Sequence, residues 1–303
     1  MNMAAISYVL PAEEVAQLVS ARGLRSAAEL LPHLASSAKP LAGCLISGFE
    51  VGAAALGESG AVYLGTNVEF PGHQLQQSIH AEQFVVANAH AHGERGLVRL
   101  CVNVPPCGHC RQFLQELPNA GALQFEICTP AVVLPLAELL PHSFGPADLG
   151  LAPEVRMLRS TPFMLLESGS GGGAAESDPT QLAALRAAQR SFAPYSKSPA
   201  GVAAEVRGDT GDECAVAVYS GSYLESAAYN PSLPPLQALL VAFVAARGCT
   251  VEEARSALRR DLVRVVLAEA GGAAASHAAA TRALVATLSP TAEFEVMSCS
   301  LPP

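Results

Sequence analysis

Three residues able to bind a borderline-soft divalent metal stand at two places in the chain. His80 opens His80-Ala81-Glu82, and Cys107 and Cys110 frame Pro106-Cys107-Gly108-His109-Cys110. One imidazole and two thiolates, with a fourth position open, make a donor set for catalytic zinc. The two Cys are three residues apart, so a single helical turn points both thiolates to one side. Pro106 suits the position just before a helix starts. A helix N-terminus favours thiolates through its free N–H groups and partial positive charge. Two thiolates already balance the ion's charge. Glu82, two residues from His80, is therefore read as a proton carrier for a metal-activated water, not as a ligand. Neither motif would carry this reading alone. His80 by itself reads as a helix-cap or core histidine, and Glu82 as an exposed helix carboxylate. The competing reading is a structural zinc site whose fourth ligand comes from His109, Cys101 or His73. His109, lying between the two Cys, is expected to face elsewhere.

Those residues need elements to hold them. Residues 11–36 read as a helical preamble with Pro breaks at 32 and 40. From Pro40 onward, short apolar runs separated by Gly suggest two strands with a turn at Gly57–Gly60. His80–Gly93 reads as a helix, Leu97–Val104 as a strand, and Cys107–Leu117 as a helix ended by Pro118. Leu123–Ile127 reads as a further strand and Leu136–Leu140 as a short helix. The order β-β-α-β-α-β-α implies an α/β fold, a mixed sheet covered by helices. Both metal-binding motifs then lie at helix starts, where two helix N-termini can converge on one ion.

The second half weakly repeats the first. SGFEVGAAAL at 47–56 parallels SKSPAGVAAEV at 196–206, GTNVEF at 65–70 parallels GSYLES at 221–226, and FEIC at 125–128 parallels FEVM at 294–297. Counting equal spacing from Glu69 and Glu225 aligns His80 with Leu236 and Glu82 with Ala238. No Cys pair follows there; the region reads AGGAAASHAAA. Only the first repeat can hold the metal. The division expected is an N-terminal helical segment at 1–39, a metal-bearing domain at 40–150, a linker at 151–179 and a second, non-catalytic domain at 180–303. The linker contains SGSGGGAAESDP at 168–179, flexible by composition.

Composition narrows the partners. Of 303 residues, 50% are hydrophobic and 15% charged, enough core material for two globular domains. The formal net charge of −9 speaks against a polynucleotide track and for a small substrate. No apolar run reaches the ~18–20 residues needed to span a bilayer. The N-terminus lacks a basic region and a continuous apolar run, so a cytoplasmic protein is expected. Of eight Cys, only 107 and 110 are close in sequence, which suits a reducing compartment and one metal site rather than a disulfide framework.

The combination H-x-E followed by P-C-x-x-C is the recognised signature of zinc deaminases, and the chain resembles the cytidine deaminase family in its longer, homodimeric, two-domain class. The resemblance covers about residues 40–300. It rests on FEVGAA, NVEF, HAEQ, PCGHCRQF and SFGPADL (143–149) in the first repeat, and on PYSKSPAGVA (194–203) and SGSYLESAAYNPSLPPLQ (220–237) in the second. It implies a three-layer α/β/α sandwich in each repeat, the second one degenerate, and a homodimer. It implies zinc on His80, Cys107 and Cys110, with Glu82 shuttling protons. It further implies Asn67 and Glu69 on the ribose 3′-hydroxyl, Phe49 against the pyrimidine ring, the backbone of Ala81 on the base, and Phe144 reaching toward the partner's site. A free nucleoside is then the expected substrate, deaminated to uridine or deoxyuridine plus ammonia. A nucleotide deaminase would need cationic groups for phosphate, and none accompanies Asn67 and Glu69. A polynucleotide deaminase would need a basic groove. A zinc-stabilised interaction protein would leave Glu82 without a purpose.

Overall fold

A computed structural model describes residues 7–129, 131–159, 162–167, 178–208 and 216–300. The Gly-rich stretch read above as a flexible linker lies almost wholly outside these residues, as does Cys214. The chain forms two compact units. One comprises Met1–Arg159, Ser226–Ser232 and Val244–Glu252, the other Ser160–Glu225, Leu233–Phe243 and Glu253–Pro303.

The first half runs β1 (Val9–Leu10), α1 (Ala12–Ala21), α2 (Leu31–Ala38), β2 (Gly52–Gly57), β3 (Val62–Thr66), α3 (Ala81–Ala91), β4 (Leu97–Val102), α4 (Gly108–Phe113), β5 (Gln124–Ile127), β6 (Val132–Pro135) and α5 (Leu136–Leu139). Its six strands lie in the order β1-β3-β2-β4-β5-β6; β4 and β5 are parallel and the other neighbours antiparallel. Successive side chains of a strand face opposite ways. Gly52 abuts the backbone of α2 at Ala35 and Lys39. On the other face Gly65, which pairs with Ala53, abuts α3 at Ala81 and Val85. Helices thus cover both faces of the sheet in three layers. The small, fully buried Ala53, Ala54 and Ala55 keep those layers close.

The expected element order holds, with two strands added. β1 has only two residues, and β6 is a short edge strand with exposed Val132 and Val133 that ends on Pro. Pro32 does not break a helix; it sits in the first turn of α2, where its missing N–H costs nothing. The real break follows α1 at Gly23, in the left-handed region (φ +63°). α4 is shorter than expected, because after Phe113 the chain tightens into a 3₁₀ turn, Leu114–Glu116.

The second half runs β7 (Leu166–Glu167), α6 (Pro179–Gln189), β8 (Ala200–Arg207), β9 (Val216–Ser222), α7 (Pro235–Arg247), α8 (Val251–Asp261), β10 (Leu262–Ala270), α9 (Ala278–Leu288) and β11 (Glu293–Ser300). Its sheet order is β7-β11-β10-β8-β9, with β10 and β11 parallel. The run β9-β8-β10-β11 repeats β3-β2-β4-β5. Gly201 abuts α6 as Gly52 abuts α2, and Gly221 abuts α7 as Gly65 abuts α3.

This duplication corrects the alignment of the ligand positions. Val68 bridges Ile79 just before α3, and Leu224 bridges Leu233 just before α7. The intervening loop is two residues shorter in the second repeat, so equal spacing overshoots by two. His80 corresponds to Pro234, Glu82 to Leu236 and Gln83 to Gln237. Gly221 meets Pro235 and Leu239 where Gly65 meets Ala81 and Val85, which fixes the same register. Neither Pro234 nor Leu236 offers a side-chain donor to a metal. Cys107, the residue capping α4, has its counterpart in His277, which precedes α9. Among the described residues no single helix is long and apolar enough to cross a membrane.

Candidate active site

His80 and Cys107 each occupy the residue that opens a helix, α3 and α4, and both have extended backbone. Cys110 follows in the first turn of α4. Each Sγ lies 3.4 Å from His80 Nδ1. Tetrahedral zinc, with bonds of ~2.3 Å to sulfur and ~2.0 Å to nitrogen, sets such an S···N separation at about 3.5 Å. The three donors therefore fit the ion the sequence implies, and among the described residues they form a group that could hold a metal ion.

Local chain geometry delivers them. The Val68–Ile79 bridge fixes the approach to α3, and Gln83 Oε1 accepts from His80 N at 3.1 Å. The Arg111 guanidinium donates to Pro106 O and Leu139 O, both at 2.9 Å, and so holds the turn ahead of Cys107. His109 does not face elsewhere: its ring stacks on that of His80 with centroids 4.8 Å apart. It nevertheless stands outside the donor cluster, as do Cys101 and His73. Cys101 pairs with Ala54 on the sheet face that bears Gly52 and α2, and its Sγ lies 3.3 Å from Cys128 Sγ.

The donors compete for protons as they would for a cation. Hydrogen bonds from Cys110 and His80, set against partial burial, pull the Cys107 thiol down to about 3. Burial pushes Cys110 well up, and its bond to the Cys107 thiolate adds to this. The bond to Cys107 raises His80 despite burial. Glu82, in the first turn of α3, is 4% exposed, and burial pushes its carboxyl up.

A cavity of about 450 Å³ opens beside the cluster. Phe49, Asn67, Glu69, His80, Ala81, Glu82 and Cys107 all line it, and Cys110 lies buried behind Cys107. Phe49 is 57% exposed, so it is not a core residue. Asn67 holds the loop that carries it, accepting from Val51 N and donating to Phe49 O, both at 2.9 Å. Glu69 grips the same loop, accepting from Ile46 N (2.7 Å), Ser47 N (2.9 Å) and Ser47 Oγ (2.5 Å). Phe144 does not line this cavity; its side chain is largely exposed, and its carbonyl accepts from Gln112 Nε2 at 2.6 Å. Sequence reasoning passed over Gln83, Arg111 and Ser47, which bind backbone. Only Gln83 left a signal, as the third residue after a helix cap.

A sequence profile described as the cytidine and deoxycytidylate deaminase zinc-binding region matches residues 25–124, and a second profile of the same description matches 136–282. Cytidine deaminase 1 of Arabidopsis thaliana is 39% identical over 97% of this chain and 98% of its own length. The cytidine deaminase of Sodalis glossinidius is 42% identical over 92% of this chain and 86% of its own length. A crystal structure of cytidine deaminase from Mycobacterium tuberculosis is 33% identical, covers 39% of this chain and 96% of its own, and has a TM-score of 0.36.

Proposed function

The chain belongs to the cytidine and deoxycytidylate deaminase family, and from that premise we propose how its own residues perform the hydrolytic deamination of cytidine and 2′-deoxycytidine. Water and cytidine give uridine and ammonia, so one oxygen must reach C4 and protons must reach N3 and the departing amine. His80, Cys107 and Cys110 would hold the zinc, which when bound would make a water acidic enough to ionise near neutral pH. Glu82 moves the protons. One carboxyl can take a proton from the attacking water, give it to N3 and later deliver one to the amine. Its burial supports this role, because a carboxyl raised toward neutrality both accepts and releases protons readily.

Phe49 is read as packing on the pyrimidine and the Ala81 backbone as meeting the base edge. Asn67 and Glu69, while holding the 46–51 loop, are read as meeting the ribose 3′-hydroxyl. A carboxylate there accepts from a hydroxyl and repels a phosphate, which favours a nucleoside over a nucleotide. We further infer a cytoplasmic homodimer in which Phe144 reaches the partner's site. The repeat suggests a helical segment at 1–39, a catalytic domain at 40–150, a linker at 151–179 and a non-catalytic domain at 180–303.

The observation that carries the reading is that Glu82 lines the same cavity as two of the three donors, His80 and Cys107. The test is the fall in ultraviolet absorbance on cytidine, CMP and a cytosine-containing oligonucleotide. Cytidine should turn over fastest, and Glu82→Ala should lose about 10²-fold or more in kcat with zinc retained. A Glu82→Ala variant as fast as the wild type would sink the assignment, and a preference for CMP would shift it to nucleotides.

A further inference from the structure

Two buried polar side chains sit on the metal-bearing elements and take no part in the chemistry above. Gln83 is 1% exposed and Glu116 is fully buried. Gln83 lies next to Glu82 in the first turn of α3. Its Oε1 accepts from the main-chain N–H of His80, and its Nε2 donates to Pro231 O at 2.9 Å. Glu116 closes the 3₁₀ turn that continues α4, six residues beyond Cys110. Its Oε1 accepts from Ala227 N at 2.8 Å.

Pro231 and Ala227 belong to one segment, Ser226–Ser232, which is distant in sequence yet folds within the first compact unit. The segment is closed on itself. Leu224 and Leu233 exchange both backbone hydrogen bonds at its base, Ser226 N donates to Ser232 Oγ at 2.9 Å, and Tyr229 N donates to Ser226 O at 2.9 Å. The element bearing His80 and the element bearing Cys107 and Cys110 thus each grip the same closed loop through a buried side chain. A carboxamide is suited to the first grip, since it accepts from one partner and donates to another without adding charge.

We propose that Gln83 and Glu116 are positioning residues that brace the two ligand-bearing elements against the Ser226–Ser232 loop and so set the zinc affinity of the centre. The second repeat then contributes to the chemistry through two backbone groups, although it carries no ligand. This inference rests on reading His80, Cys107 and Cys110 as the zinc ligands. Because linkage is reciprocal, zinc must also stabilise the loop.

The test follows zinc transfer from the full-length, zinc-loaded protein to a chromogenic chelator, so it does not depend on turnover. Gln83→Met and Glu116→Leu should each release zinc roughly tenfold or more faster, in line with the effect of losing groups that orient metal ligands. Glu116→Gln keeps an acceptor for Ala227 N and should stay within about twofold of the wild type, by the same reasoning. The double variant Gln83→Met/Glu116→Leu should be little faster than the worse single one, because one loop serves both. Hydrogen–deuterium exchange on the wild type guards against variants that fail to fold: removing zinc should speed exchange across residues 226–232. Wild-type release rates in both single variants, multiplicative effects in the double variant, or exchange indifferent to zinc would each overturn the brace. A wild-type protein that takes up no stoichiometric zinc would instead overturn the ligand assignment.

Discussion

At the scale of single residues, the centre is set by which groups keep their protons. Cys107 is already held as a thiolate, whereas Cys110 and His80 are both raised. Zinc uptake must displace whatever protons the donors hold, so uptake weakens as pH falls. Equilibrium dialysis across pH 5–8 should show zinc retention declining toward pH 5; a flat profile would contradict the donor set. Asn67 offers a second prediction. Its amide bridges the backbone of Phe49 and Val51, so Asn67→Ala should free the loop and lower kcat/KM by about tenfold or more, with a rise in KM that steady-state kinetics would show. The convergence of His80, Cys107 and Cys110 was legible in the sequence because their types are unusual together and their spacing is short. Gln83 and Glu116 were not, since their partners lie 148 and 111 residues away. The neighbouring thiols of Cys101 and Cys128 were hidden for a similar reason: β4 and the turn after β5 are brought together only by the fold.

At the scale of elements, the site depends on α3 lying flat on the sheet. A Cβ on Gly65 would come within 2.5 Å of Ala81 O and 2.8 Å of Val85 N. Gly65→Ala should displace the first turn of α3, which carries His80 and Glu82, costing about 1–3 kcal/mol by overpacking. Both the melting temperature and zinc affinity should drop; unchanged zinc affinity would show that the turn is not held from below. In the second repeat, His277 is half-buried, its ring packed on Tyr223 with centroids 4.3 Å apart and its enclosed Nε2 lacking a hydrogen-bond partner. Burial drives its imidazole down to about 4, against a raising influence from Glu269. The unfolded chain takes up a proton near pH 6.5 that the folded chain refuses until about 4. Stability is lost as pH falls through that window. Melting curves of His277→Phe should fall less steeply between pH 6.5 and 4 than those of the wild type. Helix and strand types were readable from periodicity. The register of the second repeat was not, because a two-residue difference in loop length leaves no mark on composition.

At the scale of the molecule, the repeat was visible in the sequence, through FEIC and FEVM and through the Gly-anchored strands. What the strings could not convey is that Ser226–Ser232 folds with the first unit. The expected homodimer belongs here too. Sedimentation should give twice the chain mass of 31.2 kDa, and Phe144→Ala should lower turnover without changing zinc content. A fully active species at the mass of one chain would exclude a shared site.

The residue before α9 also bears on reversibility. His277 stands where Cys107 stands before α4, but its backbone is helical (φ −98°, ψ −6°), whereas that of Cys107 is extended (φ −71°, ψ 165°). Restoring the lost side chains with Pro234→His, Leu236→Glu, His277→Cys and Ala280→Cys would not aim the first thiolate as Cys107 is aimed. The quadruple variant should still bind one zinc per chain. Side-chain substitution alone would therefore not rebuild a second centre; the main chain before α9 would have to turn as well.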